Sequence, residues 1–219
     1  MRRLLFLLSV LTLPSMASAA LDAVPSRSTS LTGHWQMNVA QSDDAERLLA
    51  QRLEKEYAEE RRWRERAQAM NPPGLDVPAA ASPSEERRRR RIDRLKEMLG
   101  VTQQLDISQD ERGTKVEIAS DAGSRRFVAG TRSQVSMPEG ELADSEVGWD
   151  GDWFVIDRRV KKGPRVVEKY RLVPKTGQLE SIIAWSGETV LSGIKVRRIF
   201  DRVEGARPPP ADPALGPSP

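Results

Sequence analysis

Cysteine is missing from this 219-residue chain, and histidine occurs only once. The absence of cysteine excludes disulfides, thiolate zinc sites, a thiol nucleophile and a lipid-modified cysteine. His34 would need carboxylates to complete a metal site, because the sequence holds no His-x-x-x-His pair. Neither a Gly-x-Ser-x-Gly elbow nor a phosphate-binding or dinucleotide-binding glycine pattern is present. We therefore expect no metal, no cofactor and no enzymatic activity.

Long apolar runs are scarce as well, and the one that stands out covers residues 4–13. It follows Arg2 and Arg3 and precedes the small-residue triplet at 17–19, which is the pattern of a secretory signal peptide. The run is too short to cross a bilayer as a helix, which takes about 20 residues. We expect cleavage before Ala20 and a periplasmic or secreted protein without a transmembrane segment.

The chain also lacks a strong excess of one charge. Its 35 basic and 32 acidic residues give a net charge of +3. Loss of Arg2 and Arg3 with the signal peptide lowers the basic residues to 33 and the net charge to +1. So small an excess does not predict a polyanion-binding protein, and nucleic acid is a poor partner outside the cytoplasm. We expect no nucleic-acid partner.

The first patterned segment of the mature chain is an extended one. We expect residues 20–30 to be flexible. In residues 31–41, Trp35, Met37 and Val39 alternate with polar residues, which predicts a strand with one apolar face. His34 falls on the opposite face, where we expect it to be solvated.

Residues 43–99 predict a charged helical hairpin inserted after this strand. Acidic residues at 43 and 44 favour a helix start. An apolar stripe of Ala45, Leu49, Leu53, Tyr57 and Trp63 follows at helical spacing. A Pro- and Ala-rich linker over 71–83 separates it from a second helix, which is predicted to run from residue 84 to residue 99.

From residue 102 the apolar period changes to two. About eight short strands, separated by turn signals, predict an antiparallel meander. Asp150-Gly151 is the clearest two-residue hairpin turn. The Pro-rich residues 204–219 carry no apolar period and predict a disordered tail.

The early strand has no local partner, so we expect it to join the later sheet. The fold class is then mainly β. Residues 31–203 form an antiparallel meander that closes, fully or in part, into a lipocalin-like barrel. The helical hairpin at 43–99 is an insertion into this single unit. The sequence leaves a closed barrel and an open sheet as alternatives.

A family resemblance accompanies this pattern. The motif Gly33-x-Trp35-x-x-Asn38-x-x-x-Ser42-Asp43, together with an aromatic-Asp-Arg strand at 200–202, resembles uncharacterised exported bacterial proteins. The resemblance implies a lipocalin-like β-meander in which the Gly-x-Trp strand opens the barrel. It does not imply a reaction.

The preferred interpretation is a non-enzymatic exported protein that binds an envelope protein or an anionic envelope component. Its docking element would be the helical hairpin, through the stripe of Leu49, Leu53, Tyr57 and Trp63 and through the arginine run at 87–91. For the run taken by itself, a charge-balanced, solvated helix is favoured over a surface for an anionic envelope component or a partner. The residues of the run are Arg87, Arg88, Arg89, Arg90 and Arg91.

Two alternative functions remain. In the first, the barrel carries a small apolar or lipid ligand in a cavity lined by strand aromatics. In the second, Asp150 and Asp152 act as the paired carboxylates of a hydrolase. The turn interpretation of this pair is favoured over the catalytic one. The predicted ligand-lining aromatics are Trp35, Phe154, Tyr170 and Trp185.

Overall fold

The computed structural model describes residues 20–27, 29–70, 90, 92–93, 95–96, 99, 102–121, 123–137, 140–187 and 189–204. Several predictions lie outside these residues. They are the signal peptide, the linker at 71–83, the tail beyond residue 204 and the arginine run except for Arg90.

Ten antiparallel strands form one continuous sheet in the order β4-β3-β2-β1-β10-β9-β8-β7-β6-β5. A short 3₁₀ turn (Val39–Gln41) and helix α1 (Ala45–Met70) lie between β1 and β2. The strands are β1 Gly33–Met37, β2 Gln104–Gln109, β3 Lys115–Ser120, β4 Gly123–Val128, β5 Thr131–Ser136, β6 Leu142–Asp150, β7 Trp153–Val160, β8 Pro164–Leu172, β9 Leu179–Gly187 and β10 Lys195–Arg202.

The early strand joins the later sheet as predicted. Trp35 of β1 lies opposite Leu105 of β2 on one side and opposite Arg202 of β10 on the other. The two ends of the sheet, β4 and β5, follow each other in the chain and are joined by the turn at residues 129–130. The result is a nearly closed barrel with a seam between β4 and β5, and the predicted fold class is confirmed.

The apolar alternation predicts about eight strands after residue 102, whereas the structure has nine. The additional strand is β6, whose inward row begins with the small residues Ala143 and Ser145. The predicted hairpin turn is also displaced by one residue. Asp150 is still paired with Trp153, and the loop consists of Gly151, at a φ of 64°, and Asp152.

An apolar cluster fills the end of the barrel where β4 turns into β5. We call this cluster the floor. It is built from alternate residues of nearly every strand, as the period-two pattern requires, and its largest members are fully buried. They include Trp35, Ile107, Ile118, Trp149, Phe154, Leu179 and Phe200.

Helical residues close the opposite end of the barrel and form what we call the cap. Leu49 and Leu53 of α1 pack with Leu95 and Leu99 from the segment before β2, whose described residues at 90–99 are helical. These side chains cover the inward-facing Trp185 and neighbouring strand residues. The apolar stripe of the inserted hairpin is therefore used for closing the barrel.

The contact of α1 with the cap weakens beyond the middle of the helix. Tyr57 packs against the cap cluster but is only partly buried, and Trp63 is 63% exposed. Trp63→Ala should change the free energy of unfolding by no more than about 0.5 kcal/mol, because substitutions at exposed sites have small effects. Urea denaturation measures this. A loss above about 1 kcal/mol would mean that Trp63 packs against another part of the chain.

An extended segment precedes β1 and crosses the floor end of the barrel. We call residues 20–27 the strap. The backbone N–H and C=O of Asp22 pair with those of Trp149 in β6, with both N···O distances at 2.8 Å. Ser26 N–H donates to the carbonyl of Gly151. These hydrogen bonds join the strap to β6 and its turn, whereas the sequence predicts a flexible segment at residues 20–30.

Candidate ligand site inside the barrel

A cavity of about 370 Å³ separates the floor from the cap. Leu99 and Trp185 of the cap line it from one side, and Tyr170 and Phe200 of the floor line it from the other. Its remaining apolar lining comes from neighbouring strands. These residues are Leu105, Met137, Val166 and Ile183.

The cavity reaches the seam at the cap end of the barrel. Gly123, Ser124 and Arg125 from the start of β4 line it, as does Met137 just after β5. The two seam strands make no ladder with each other in the described part of the chain. The open side of the cavity therefore lies between the β3–β4 turn and the end of β5.

Four hydrogen-bond donors surround the buried carboxylate of Glu168. The two terminal nitrogens of Arg125 donate to its two oxygens, at 3.1 and 3.0 Å. Arg158 donates to Oε1, and the hydroxyl of Tyr170 donates to Oε2 at 2.9 Å. A carboxylate offers about four acceptor positions, so Glu168 is saturated.

Arg158 is less well satisfied than the carboxylate that it contacts. Its Nε is buried and finds no acceptor among the described residues. Burial lowers the pKa of the Arg158 guanidinium, and the nearby charge of Arg125 lowers it further. Arg158 therefore brings incompletely compensated positive charge to the cavity wall.

Arg198 of β10 also lines the cavity and is only 4% exposed. It donates to the carbonyl of Leu99 at 2.6 Å, which ties the cap to the barrel wall. Burial lowers the pKa of Arg198 and raises that of Tyr170, although the surrounding arginines oppose the rise at the tyrosine. Burial thus disfavours the charged forms of both groups.

The charges that line the cavity do not balance. Among its described lining residues, the three arginines at 125, 158 and 198 face the single acid Glu168. A buried charge is stable only when it is paired and hydrogen-bonded. The cavity wall therefore places cationic hydrogen-bond donors next to apolar surface.

The strand pattern explains why these side chains point inward. On β7, Arg158 follows Phe154 and Ile156 in the buried phase, and on β8 Glu168 stands between Val166 and Tyr170. A lone charge in an otherwise apolar row was the signal that sequence analysis overlooked. Each cavity arginine also has an outward arginine beside it in the chain, at positions 126, 159 and 197.

The four aromatics predicted to line a ligand cavity divide into two pairs. Tyr170 and Trp185 line the cavity. Trp35 and Phe154 lie instead in the packed floor, where both are almost completely buried. Their alternation identified the inward face but not the depth along the barrel, which depends on strand register.

The predicted docking residues lie outside this cavity. Trp63 is on the exposed half of α1, and Arg90 is an exposed helical residue. Of the predicted helical stripe, Leu49 and Leu53 are buried in the cap, and Tyr57 is partly buried against it. Among the residues of this stripe, only Trp63 is therefore exposed.

The remaining candidate residues lie on the outside of the barrel. Asp150 forms an ion pair with Lys169, and Asp152 lies next to Ser26 of the strap. His34 contacts Asp106 of β2 and is largely covered, which corrects its predicted solvation. Among the described residues, no cluster of potential ligands is placed to hold a metal, and no helix has the length and apolarity needed to span a bilayer.

No family model matches this sequence, and no curated protein matches it. Solved structures with a similar arrangement include apo lipid binding protein 8 of Caenorhabditis elegans, at 14% identity and a TM-score of 0.45, with 80% of this chain and 99% of that chain covered. The REP1-NXSQ fatty acid transporter is similar at 13% identity and 0.44, with 80% and 98% covered. Fatty-acid-binding protein 1 of Echinococcus granulosus is similar at 12% and 0.42, with 79% and 97% covered. This distant likeness does not indicate what the present chain binds.

Proposed function

We propose that the protein is an exported, non-enzymatic carrier of a small amphiphile with an anionic head group. The observation that carries this proposal is the cavity between floor and cap, in which three arginines face one glutamate. The head group would bind at Arg158 and Arg198. The apolar part would lie against Trp185, Ile183 and the adjoining cap residues.

The size of the cavity supports a ligand with a single chain or a small ring system. At about 370 Å³, it lies near the lower end of the range of roughly 300–1,000 Å³ that is usual for small-molecule sites. Its lining combines apolar side chains with the three arginines, Glu168 and five hydroxyl-bearing residues. Such a composition suits an amphiphile better than a fully polar ligand.

The carrier proposal is preferred over the docking interpretation because of the cap. Leu49 and Leu53 are at most 4% exposed, and they pack against the barrel rather than facing solvent. An envelope partner would have to bind elsewhere on the hairpin. The interior cluster, in contrast, provides both charge and apolar surface at one place.

Dodecanoate binding to Arg158→Met and Arg159→Met variants tests the proposal. We expect Arg158→Met to weaken binding by about 10- to 100-fold, because a hydrogen bond to a charged group contributes about 1.5–3 kcal/mol. Arg159 follows Arg158 on the same strand but is exposed on the outer face, so Arg159→Met should leave binding unchanged. Titration calorimetry of delipidated protein measures both.

Ligands with the same tail and different head groups provide the second comparison. Dodecanoate should bind more tightly than dodecanol, and dodecyltrimethylammonium should bind most weakly, because only the first complements the arginines. Equal binding of all three would contradict an anionic head-group site. Equal binding of dodecanoate to the two variants would contradict its location at Arg158.

A further inference from the structure

We infer that Glu168 is a resident counter-ion that competes with the head group of the ligand for Arg158. This inference rests on the proposed function and names how its site is regulated. In the empty barrel the carboxylate of Glu168 forms an ion pair with Arg158. When an anionic ligand binds, Arg158 transfers from the carboxylate of Glu168 to the head group.

The other hydrogen bonds of Glu168 keep its carboxylate satisfied when Arg158 leaves it. Glu168 accepts from both terminal nitrogens of Arg125 and from the hydroxyl of Tyr170, independently of Arg158. Loss of Arg158 therefore leaves three donors on the carboxylate, including a complete two-pronged arginine pair. Such two-pronged pairs are the strongest ion pairs that arginine makes.

Arg158 gains from the same transfer. It has an ion pair with Glu168, and its buried Nε has no acceptor among the residues that the structure describes. A ligand carboxylate on the cavity side can accept from Nε and from a terminal nitrogen together, since the guanidinium donors form a fixed planar fork. The ligand would then satisfy a donor that Glu168 leaves without a partner.

The position of Arg125 places the exchange next to the open side of the cavity. Arg125 lies on seam strand β4 with its side chain 44% exposed, and it reaches Glu168 on β8 inside the barrel. Arg198 and Tyr170 are the other charged or titratable groups that line the cavity beside Glu168. A glutamate held in this way limits affinity for the ligand and favours its release.

Glu168→Gln tests the competition, and Glu180→Gln is its matched control. Glu180 is also buried and bridges two arginines, Arg171 and Arg197, but it does so on the outer face of the sheet. We expect Glu168→Gln to tighten dodecanoate binding by about tenfold or more, since a competing charge is removed. Glu180→Gln should leave the dissociation constant unchanged.

A crystal structure of the wild-type protein with dodecanoate decides the question even if Glu168→Gln does not fold. We expect the head group on Arg158, with Glu168 still held by Arg125 and Tyr170. If the wild type prefers dodecanoate to dodecanol but the Arg158–Glu168 pair persists, or if Glu168→Gln weakens binding, the counter-ion role is wrong and the carrier function stands. If the wild type shows no head-group preference, both are wrong.

Discussion

Trp149→Ala should lower the free energy of unfolding by about 3–5 kcal/mol, the usual range for removing a large aromatic from a core. Trp149 is 1% exposed, and its ring centroid lies 5.2 Å from that of Phe154 in the floor. Its indole N–H donates to the carbonyl of Gly113 at 2.8 Å. Truncation would therefore open a cavity and also leave a buried carbonyl without its donor.

The neighbouring tryptophan of the same hairpin provides the control. Trp153 is only partly buried, and the Arg171 guanidinium lies 4.3 Å from its ring centroid. A cation–π contact at such a site contributes about 0.5–1 kcal/mol, so Trp153→Ala should destabilise by about that amount. Urea denaturation of both variants gives the comparison. Equal losses would show that the floor does not depend on Trp149.

Much of the fold could be predicted from sequence because one face of each strand is apolar. Trp35 and Met37 alternate in β1, and Val166, Tyr170 and Leu172 occupy one face of β8. Pairing of β1 with β10 also followed, because an isolated strand leaves its backbone groups unsatisfied. Strand β6 was missed because the small inward residues Ala143 and Ser145 carry little apolar signal.

The cavity could not be predicted in the same way. Alternation shows that Phe154 and Arg158 face the same side of β7, but it does not show how deep each one lies. Depth follows from register, which places Phe154 opposite Tyr170 and Arg158 opposite Val166. A charge at an inward position is the one local signal of the site, and Glu168 and Arg198 both provide it.

Removal of the strap should cause the second large loss of stability. In a chain that starts at residue 28, Asp22 no longer pairs with Trp149, and Ser26 no longer donates to Gly151. Each backbone hydrogen bond contributes about 1 kcal/mol net, so the three lost bonds predict a decrease in stability of roughly 3 kcal/mol. The edge of β6 beyond the reach of β5 would also become exposed.

Glycine positions under the strap allow a sharper test than deletion alone. A Cβ atom at Gly148 would lie 2.6 Å from the carbonyl oxygen of Asp22 and 2.7 Å from the Cβ of Leu21. Similar close approaches to the strap occur at Gly130, with Ala23, and at Gly113. Gly148 suits a substitution best, because the other two have positive φ values that already disfavour alanine.

Gly148→Ala should destabilise a chain that starts at residue 20 by about 1–3 kcal/mol, as overpacking does in a well-packed region. In the chain that starts at residue 28, the same substitution should have an effect below about 0.5 kcal/mol, because its closest clashes are with the strap. Urea denaturation of the four proteins in this cycle isolates the coupling. Equal effects in both chains would show that the strap is not held against β6 in solution. A coupling of the expected size would mean that the strap packs against β6 in solution and stabilises the floor end of the barrel.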